Sequence, residues 1–566
     1  VWCTTQTIHN VRQLLGQIFE IPLSKINVKK LAIGGAFGSS IQMNSTIPIC
    51  VALALKAKRP VKLVNSREDD VYDHTKFPAR IKLKVGVKKD ATIVAADMRV
   101  LVDIGAHQIN AYPLLGCMAG WYASLYKWKD FYYEGRCVYT NKVPACAMQG
   151  YGNPQVNFAV ESHIDAIAAE CGFDPIEFRL KNYVGVGDEF WGQGPTVKSI
   201  IKSCGVEEML REGAKLINWQ DRRPPAEKTG RYRRGIGVAR GFHTSGTGGP
   251  KPGEVIDYST ATVKINEDGT VDVITPVVDH GGGTGEAAVK IAAEVLKVPY
   301  EKGELSPADT KTTGYDVCTH ATRGVYCGCG AVYHVAQQVK AKLLEYAGRM
   351  LDENPDCLEL SYDPQTNETI IHPKGFKQKQ ITMAEVAKRA QIYSWGTIAA
   401  TDSLRQKNCP PCFVAHFIEV EVDTWTGIIR VPRAVLLSDS GTPVNPDMVA
   451  GQLVGSLSRG LGYAAYEETE YDMETGKLKC NGFITDNKVP TSCEMPLIEN
   501  LHVYFAKTYE PSGPFGAKGI GEAALNSVAS AFANAVYNAI GVRFYRTPIT
   551  PERVLEALEG GAGVGN

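Results

Sequence analysis

What this chain lacks narrows its possible roles first. Its 61 basic and 61 acidic residues cancel, so the charge balance gives no reason to expect nucleic acid or an anionic membrane as partner. The longest apolar run, Ile47 to Leu55, is far shorter than the ~20 residues that span a bilayer, and no secretory signal is visible. The 15 cysteines are odd in number and scattered without a framework spacing. That argues against a disulfide scaffold and reads as reduced thiols in a cytoplasmic or anaerobic setting. Cys409-Pro-Pro-Cys412 and Cys327-Gly-Cys329 lack a second pair at zinc-finger spacing, which leaves structural zinc a weak reading. No run has the Cys-x4-Cys-x2-Cys spacing of a plant-type [2Fe–2S] site, and no glycine loop opens a βαβ dinucleotide unit. An initiator methionine is missing as well; a chain that opens at Val1 reads as a processed or excised segment.

What is present is a globular composition, 44% apolar and 22% charged, over 566 residues. That length exceeds what one core organises, so at least two lobes are expected. From Arg80 to Asp103 apolar residues alternate with polar ones around a Lys-Lys-Asp turn, the signature of a hairpin. The device returns at Ala261 to Thr275 and at Phe417 to Leu437, each time followed by a helical pattern, near Glu286 to Leu296 and Met448 to Tyr463. Antiparallel hairpins crossed by helices predict an α+β fold. Shorter elements are expected as well: a first helix through Ile8 to Ile18 capped by Thr4 or Thr5, strands at Ile26 to Ile33 and Val61 to Val64, and a helix at Ala52 to Lys56. The basic, proline-bearing stretch Asp221 to Arg234 reads as the boundary between lobes spanning 1–225 and 232–560.

Glycine loops punctuate this frame. Gly34-Gly-Ala-Phe-Gly-Ser-Ser40 sets one aromatic among exposed amides, and His280-Gly-Gly-Gly-Thr-Gly285 precedes the second-lobe helix. A phosphate cradle fits such loops, but neither has a familiar nucleotide-binding spacing. Gly513-Pro-Phe-Gly-Ala-Lys-Gly-Ile-Gly-Glu522 carries four glycines and a proline and cannot be a regular element. Leu525, Val528, Phe532, Val536 and Ile540 then recur at helical spacing and Gly541 ends the run, which predicts Glu522 on the first turn of a helix. A carboxylate there is ordinary capping chemistry when taken alone; facing a walled pocket it becomes a candidate base.

In order and spacing, Gln6, the Gly34–Ser40 loop, Ala147-Met-Gln-Gly-Tyr-Gly-Asn-Pro-Gln155, the His280 loop, Gly451-Gln452 and Lys518-Gly-Ile-Gly-Glu522 resemble the molybdenum-binding large subunit of the xanthine oxidase family of molybdenum hydroxylases, in its bacterial xanthine-dehydrogenase-like form. The resemblance covers nearly the whole chain. It implies a molybdenum–molybdopterin cofactor, in its cytosine dinucleotide form, bound between the two lobes and ligated by the pterin, with no protein ligand to the metal. It implies oxidative hydroxylation of an electron-poor carbon of an N-heteroaromatic, purine-like or aldehyde substrate, with water as oxygen source. Glu522 matches the family's base, which deprotonates the attacking oxygen. Gln6, Phe37 and Gly38 match residues lining the metal. Gly283, Thr284, Thr322, Gly324, Gln452 and Gly521 fall in its cofactor loops, and Tyr151 matches an aromatic wall of the substrate pocket.

Where purine-handling members commonly carry charged or polar anchors, this chain has Ile41, Cys117 and Gln149, an uncharged pocket that argues against xanthine. Thr284 replaces a usual cofactor-contacting glutamine, and the first loop departs from the family pattern at Ala36, Ser39 and Ser40. Two other readings stay open on sequence alone: an aldehyde oxidoreductase specifically, or a non-catalytic or assembly paralogue. The expected partners are an iron–sulfur subunit with [2Fe–2S] clusters, a flavin subunit carrying FAD, and a chain that supplies an absent first part of the molybdenum lobe. No nucleic acid or membrane partner is expected, and a cytoplasmic location is.

Overall fold

The architecture, seen in a computed structural model that describes residues 1–248, 257–480 and 488–560, is α+β. Each long hairpin anticipated from alternation exists and seeds a sheet. Ala79–Val87 and Ile93–Asp103 pair antiparallel, with Asp130–Val138 added in parallel. Met98, Val100 and Val102 are buried while Arg99 and Leu101 face out, the period-two consequence of the pleat. A second sheet runs in the spatial order Gly303–Ser306, Val271–Ile274, Tyr258–Ile265, Ala399–Arg405. The third runs Tyr232–Thr244, Pro411–Asp423, Ile429–Asp439, Leu501–Phe505.

That third sheet positions the site, because the helix Val528–Ile540 lies directly on its edge strand, Tyr232–Thr244. The approach is close because the strand offers glycine at alternate positions. A Cβ on Gly235 would stand 2.2 Å from Ala535 O, and one on Gly237 2.2 Å from Ala531 O. The helix answers with Ala531, Ala535 and Ala539 at steps of four. An edge strand leaves one row of backbone groups unpaired. Here side chains four to eight residues apart pair them: Asn538 Oδ1 accepts from Ile236 N at 2.9 Å, Asn534 Nδ2 donates to Val238 O at 3.1 Å, and Asn526 Nδ2 donates to Phe242 O at 2.9 Å. The apolar stripe of Val528, Phe532, Val536 and Ile540 packs on the other side, against the helix Pro446–Leu461 and the strand Pro411–Asp423.

Several shorter elements differ from expectation. The strand anticipated over Ile26 to Ile33 shrinks to Lys29–Lys30, pairing only with Trp2–Cys3. Val61 to Val64 forms no strand and pairs with no strand among the described residues, and Val64 is exposed. β-branched runs suit a sheet, but pairing needs a neighbour, and none is there. The first helix spans Ile8–Phe19 and starts after Thr7, not Thr4 or Thr5; Thr5 Oγ1 instead accepts from Thr7 N at 3.0 Å, and Ile18 faces solvent. The helix around Ala52 is longer than read, Thr46–Ala57.

Candidate active site

Five separated loops converge on a cavity of about 330 Å³. Its walls come from Gln6 and the Gly34–Ile41 loop, from Ala147–Tyr151, from the loops at His280–Thr284 and Thr319–Val325, and from Gly519–Glu522, with one face of the helix Pro446–Leu461 closing it. The sequence-derived candidates Gln6, Phe37, Gly38, Ile41, Gln149, Tyr151, Thr284, Thr322, Gly324, Gln452, Gly521 and Glu522 all line it. Two do not. Gly283 lies at the start of the helix Thr284–Leu296, turned onto Met448, where a Cβ would stand 2.8 Å from Cε. Cys117 is buried behind the wall, its Sγ 3.6 Å from Gln193 O, and burial pushes its thiol up to about 12.

Glu522 is held differently from the expected helix start. A short 3-10 turn, Ala523–Leu525, separates it from the helix that begins at Val528. Its donors are main-chain amides of other loops. Thr322 N donates to Oε2 at 2.8 Å, supported by Thr322 Oγ1 at 3.4 Å, and Gly150 N donates to Oε1 at 3.3 Å. Oε1 therefore keeps the freer lone pair. His243, on the edge strand and missed by the sequence reading, places its buried, unpartnered Nε2 3.9 Å from that same oxygen. Nothing in an alternating strand distinguishes a histidine aimed at a carboxylate from a packed one.

The loop that presents Thr322 is strained and braced. Ala321 and Thr322 are both left-handed, at φ 51° and 54°, a conformation costing roughly 1–2 kcal/mol per residue outside glycine. Phe37 and Tyr151 are left-handed too, at φ 50° and 41°, so strain gathers around this cavity. Arg323 supplies the brace: fully buried, it reaches Asp257 at 2.9 Å and Asp316 at 2.7 Å, and donates to Cys318 O at 2.8 Å. Burial alone would raise the Asp257 carboxyl, but Arg323 and the Thr247 amide outweigh it and hold it below the usual range. On the far wall, burial lowers His280, and burial with the Arg323 charge lowers His320, which favours neutral imidazoles.

The cavity walls fit a large polar group approached by backbone. At Gly34, Gly281, Gly451, Gly455 and Gly521 a Cβ would meet nothing within 4 Å, so each leaves open space inside the cleft that a side chain would fill. Gln6 Nε2 donates to Thr319 O at 2.7 Å, and its Oε1 is buried with no partner, an acceptor held ready for a donor. Gly38 is constrained otherwise: at φ +109°, a Cβ would stand 2.6 Å from Ala147 O. Gly38→Ala should cost ~1–3 kcal/mol in backbone strain alone and displace the Ala147–Tyr151 wall. Denaturant midpoints compared with Gly34→Ala, which has neither constraint, check this; equal midpoints would refute it.

A cleft with a carboxylate held by main-chain amides and glycine-lined walls defines an enzyme that binds a large cofactor. Residues 1–183 and 212–496 each match the molybdopterin cofactor-binding domain. The chain is 31% identical over 559 residues to the putative xanthine dehydrogenase molybdenum-binding subunit XdhA of Escherichia coli (strain K12), covering 98% of this chain and 72% of that one. It is 30% identical over 532 residues to the aldehyde oxidoreductase of Megalodesulfovibrio gigas, covering 93% and 54%. The crystal structure of quinoline 2-oxidoreductase from Pseudomonas putida 86 superposes with a TM-score of 0.91 at 26% identity, over 99% of this chain and 72% of that one. The chain belongs to the molybdopterin-dependent oxidoreductases, the molybdenum hydroxylases, as a molybdenum-binding subunit of the xanthine dehydrogenase and aldehyde oxidoreductase type.

Proposed function

We propose that this subunit hydroxylates an electron-poor carbon of an N-heteroaromatic ring or an aldehyde, with Glu522 as the general base. One observation carries the reading: Glu522 stands on the cavity wall with its carboxylate fixed by the amides of Thr322 and Gly150, and Oε1, with the longer 3.3 Å contact, is the oxygen better placed to take a proton. When bound, the molybdenum–pterin activates a water-derived oxygen and accepts two electrons. The chain's own residues do the rest. Gln6, Phe37, Gly38 and the loops at Thr284, Thr322–Gly324, Gly451–Gln452 and Gly521 hold the cofactor, with Gly283 shaping the turn behind Thr284. Tyr151 and Ile41 wall the substrate. Main-chain donors, joined by Thr322 Oγ1, keep the base oriented toward the cavity. A non-catalytic paralogue would have no need of this arrangement.

The same reading proposes two cofactor-binding lobes, 1–225 and 232–560, and the cytosine dinucleotide form of the pterin. It also proposes that the electrons leave through [2Fe–2S] and FAD subunits in the cytoplasm, with a further polypeptide completing the molybdenum lobe. The native complex, purified and assayed for molybdenum, iron, flavin and subunit masses, is then offered N-heteroaromatics and aldehydes with an artificial acceptor. Acceptor reduction with about one molybdenum per chain is expected. A metal-free chain, or a loaded complex that turns over no ring and no aldehyde, would overturn the reading.

A further inference from the structure

The sequence reading expects an uncharged substrate pocket, with a glutamine at 149 where an arginine is common. The fold returns a guanidinium to that place from another element. Gly451, Gly455 and Arg459 follow one another at steps of four along the helix Pro446–Leu461 and line the same wall of the cavity. Arg459 Nε donates to Gln149 Oε1 at 3.0 Å and Nη2 donates to Ser456 Oγ at 3.2 Å. Its guanidinium carbon lies over the Phe37 ring, 3.7 Å from the centroid, a cation–π contact that helps hold it there. Both hydrogen-bond partners are neutral. Among the described residues Arg459 forms no ion pair, and Nη1 has no partner at all. Burial pushes it down to about 10, with the Glu467 charge opposing, so it is charged at neutral pH.

Its position relative to the chemistry is set by Gln149. The Gln149 amide donates to Gly521 O and to Ser456 Oγ at 3.2 Å, while the next residue, Gly150, holds Glu522. A single side chain thus ties the guanidinium to the segment carrying the base. A partly buried cation with an unused donor edge, set beside an aromatic wall, lacks only an anionic oxygen.

We propose that Arg459 is the specificity-determining residue of this site and that its substrates are flat rings bearing an anionic oxygen substituent of the carboxylate class. This rests on reading the cavity as the substrate site of the hydroxylase. The test uses pyridine-3-carboxylate and pyridine-3-carboxamide as matched probes on the loaded complex, with Arg459→Gln and Arg459→Lys as variants. For Arg459→Gln, kcat/KM for the carboxylate should fall roughly 10- to 100-fold, chiefly through KM. The carboxamide should change less than about threefold. Arg459→Lys should recover part of the loss, as a point charge without the fork. Molybdenum content should not change. Equal losses on both probes, no loss, or release of molybdenum by the variant would overturn the proposal, the last by making Arg459 a cofactor residue. Should the complex turn over no probe, calorimetric binding of pyridine-3-carboxylate to wild type and Arg459→Gln decides the matter separately. The same loss of affinity supports the proposal, and no binding to wild type refutes it.

Discussion

Glu522→Gln is expected to keep the fold and the molybdenum while removing most turnover. The substitution is nearly isosteric, and the amide oxygen still accepts from Thr322 N, the stronger of the two main-chain contacts at 2.8 Å. What it removes is the proton acceptor at Oε1, which accepts a hydrogen bond from Gly150 N at 3.3 Å and faces His243 Nε2 at 3.9 Å. Loss of a general base typically costs ~10²- to 10⁴-fold in rate. The measurement is kcat of the loaded complex with molybdenum content determined on the same sample. A variant retaining molybdenum and turning over near the wild-type rate would take Glu522 out of the mechanism.

The second large effect concerns stability. Arg323→Met removes the shared partner of Asp257 and Asp316, all three at most 3% exposed. Breaking a buried ion network from one side typically costs ~3–5 kcal/mol, because the remaining charges stay buried and unpaired. The pH dependence has a definite sign. In the wild type the Asp257 carboxyl is held low, so its contribution is present above the ordinary carboxylate value of ~3.9 and fades as pH falls through the lower folded value. Without Arg323, burial dominates and raises that carboxyl, so the variant loses stability as pH rises through its raised folded value. The gap between the two proteins should therefore narrow below about pH 4. Denaturant midpoints at several pH values check this, and a constant gap would refute it. Turnover should fall as well, since the Thr322 amide that orients Glu522 belongs to the loop Arg323 braces.

How much of this was legible in the chain depends on the range of the interaction. Alternation over Arg80 to Asp103, Ala261 to Thr275 and Phe417 to Leu437 identified the three long hairpins, because side-chain period and pleat are the same local fact. Short extended stretches failed: Val61 to Val64 has the composition of a strand but no neighbour to pair with. The glycine loops were visible as residues that tolerate close backbone approach, and most of the candidates drawn from them line one cavity. Gly283 and Cys117 fell outside it because order along the chain does not say which side of a wall a residue takes.

The chain by itself determined the hairpin frame, the helix after Glu522 and the set of loops able to press backbone against a ligand, since each depends on near neighbours. Only the tertiary structure decided what surrounds the carboxylate and what charge the pocket carries. Glu522 takes its amide donors from residues 150 and 322, and Arg459 stands beside residue 149 although 310 positions separate them. A hydrogen bond is made at about 3 Å whatever the sequence separation, and no local pattern records which distant loops a fold will bring to that distance.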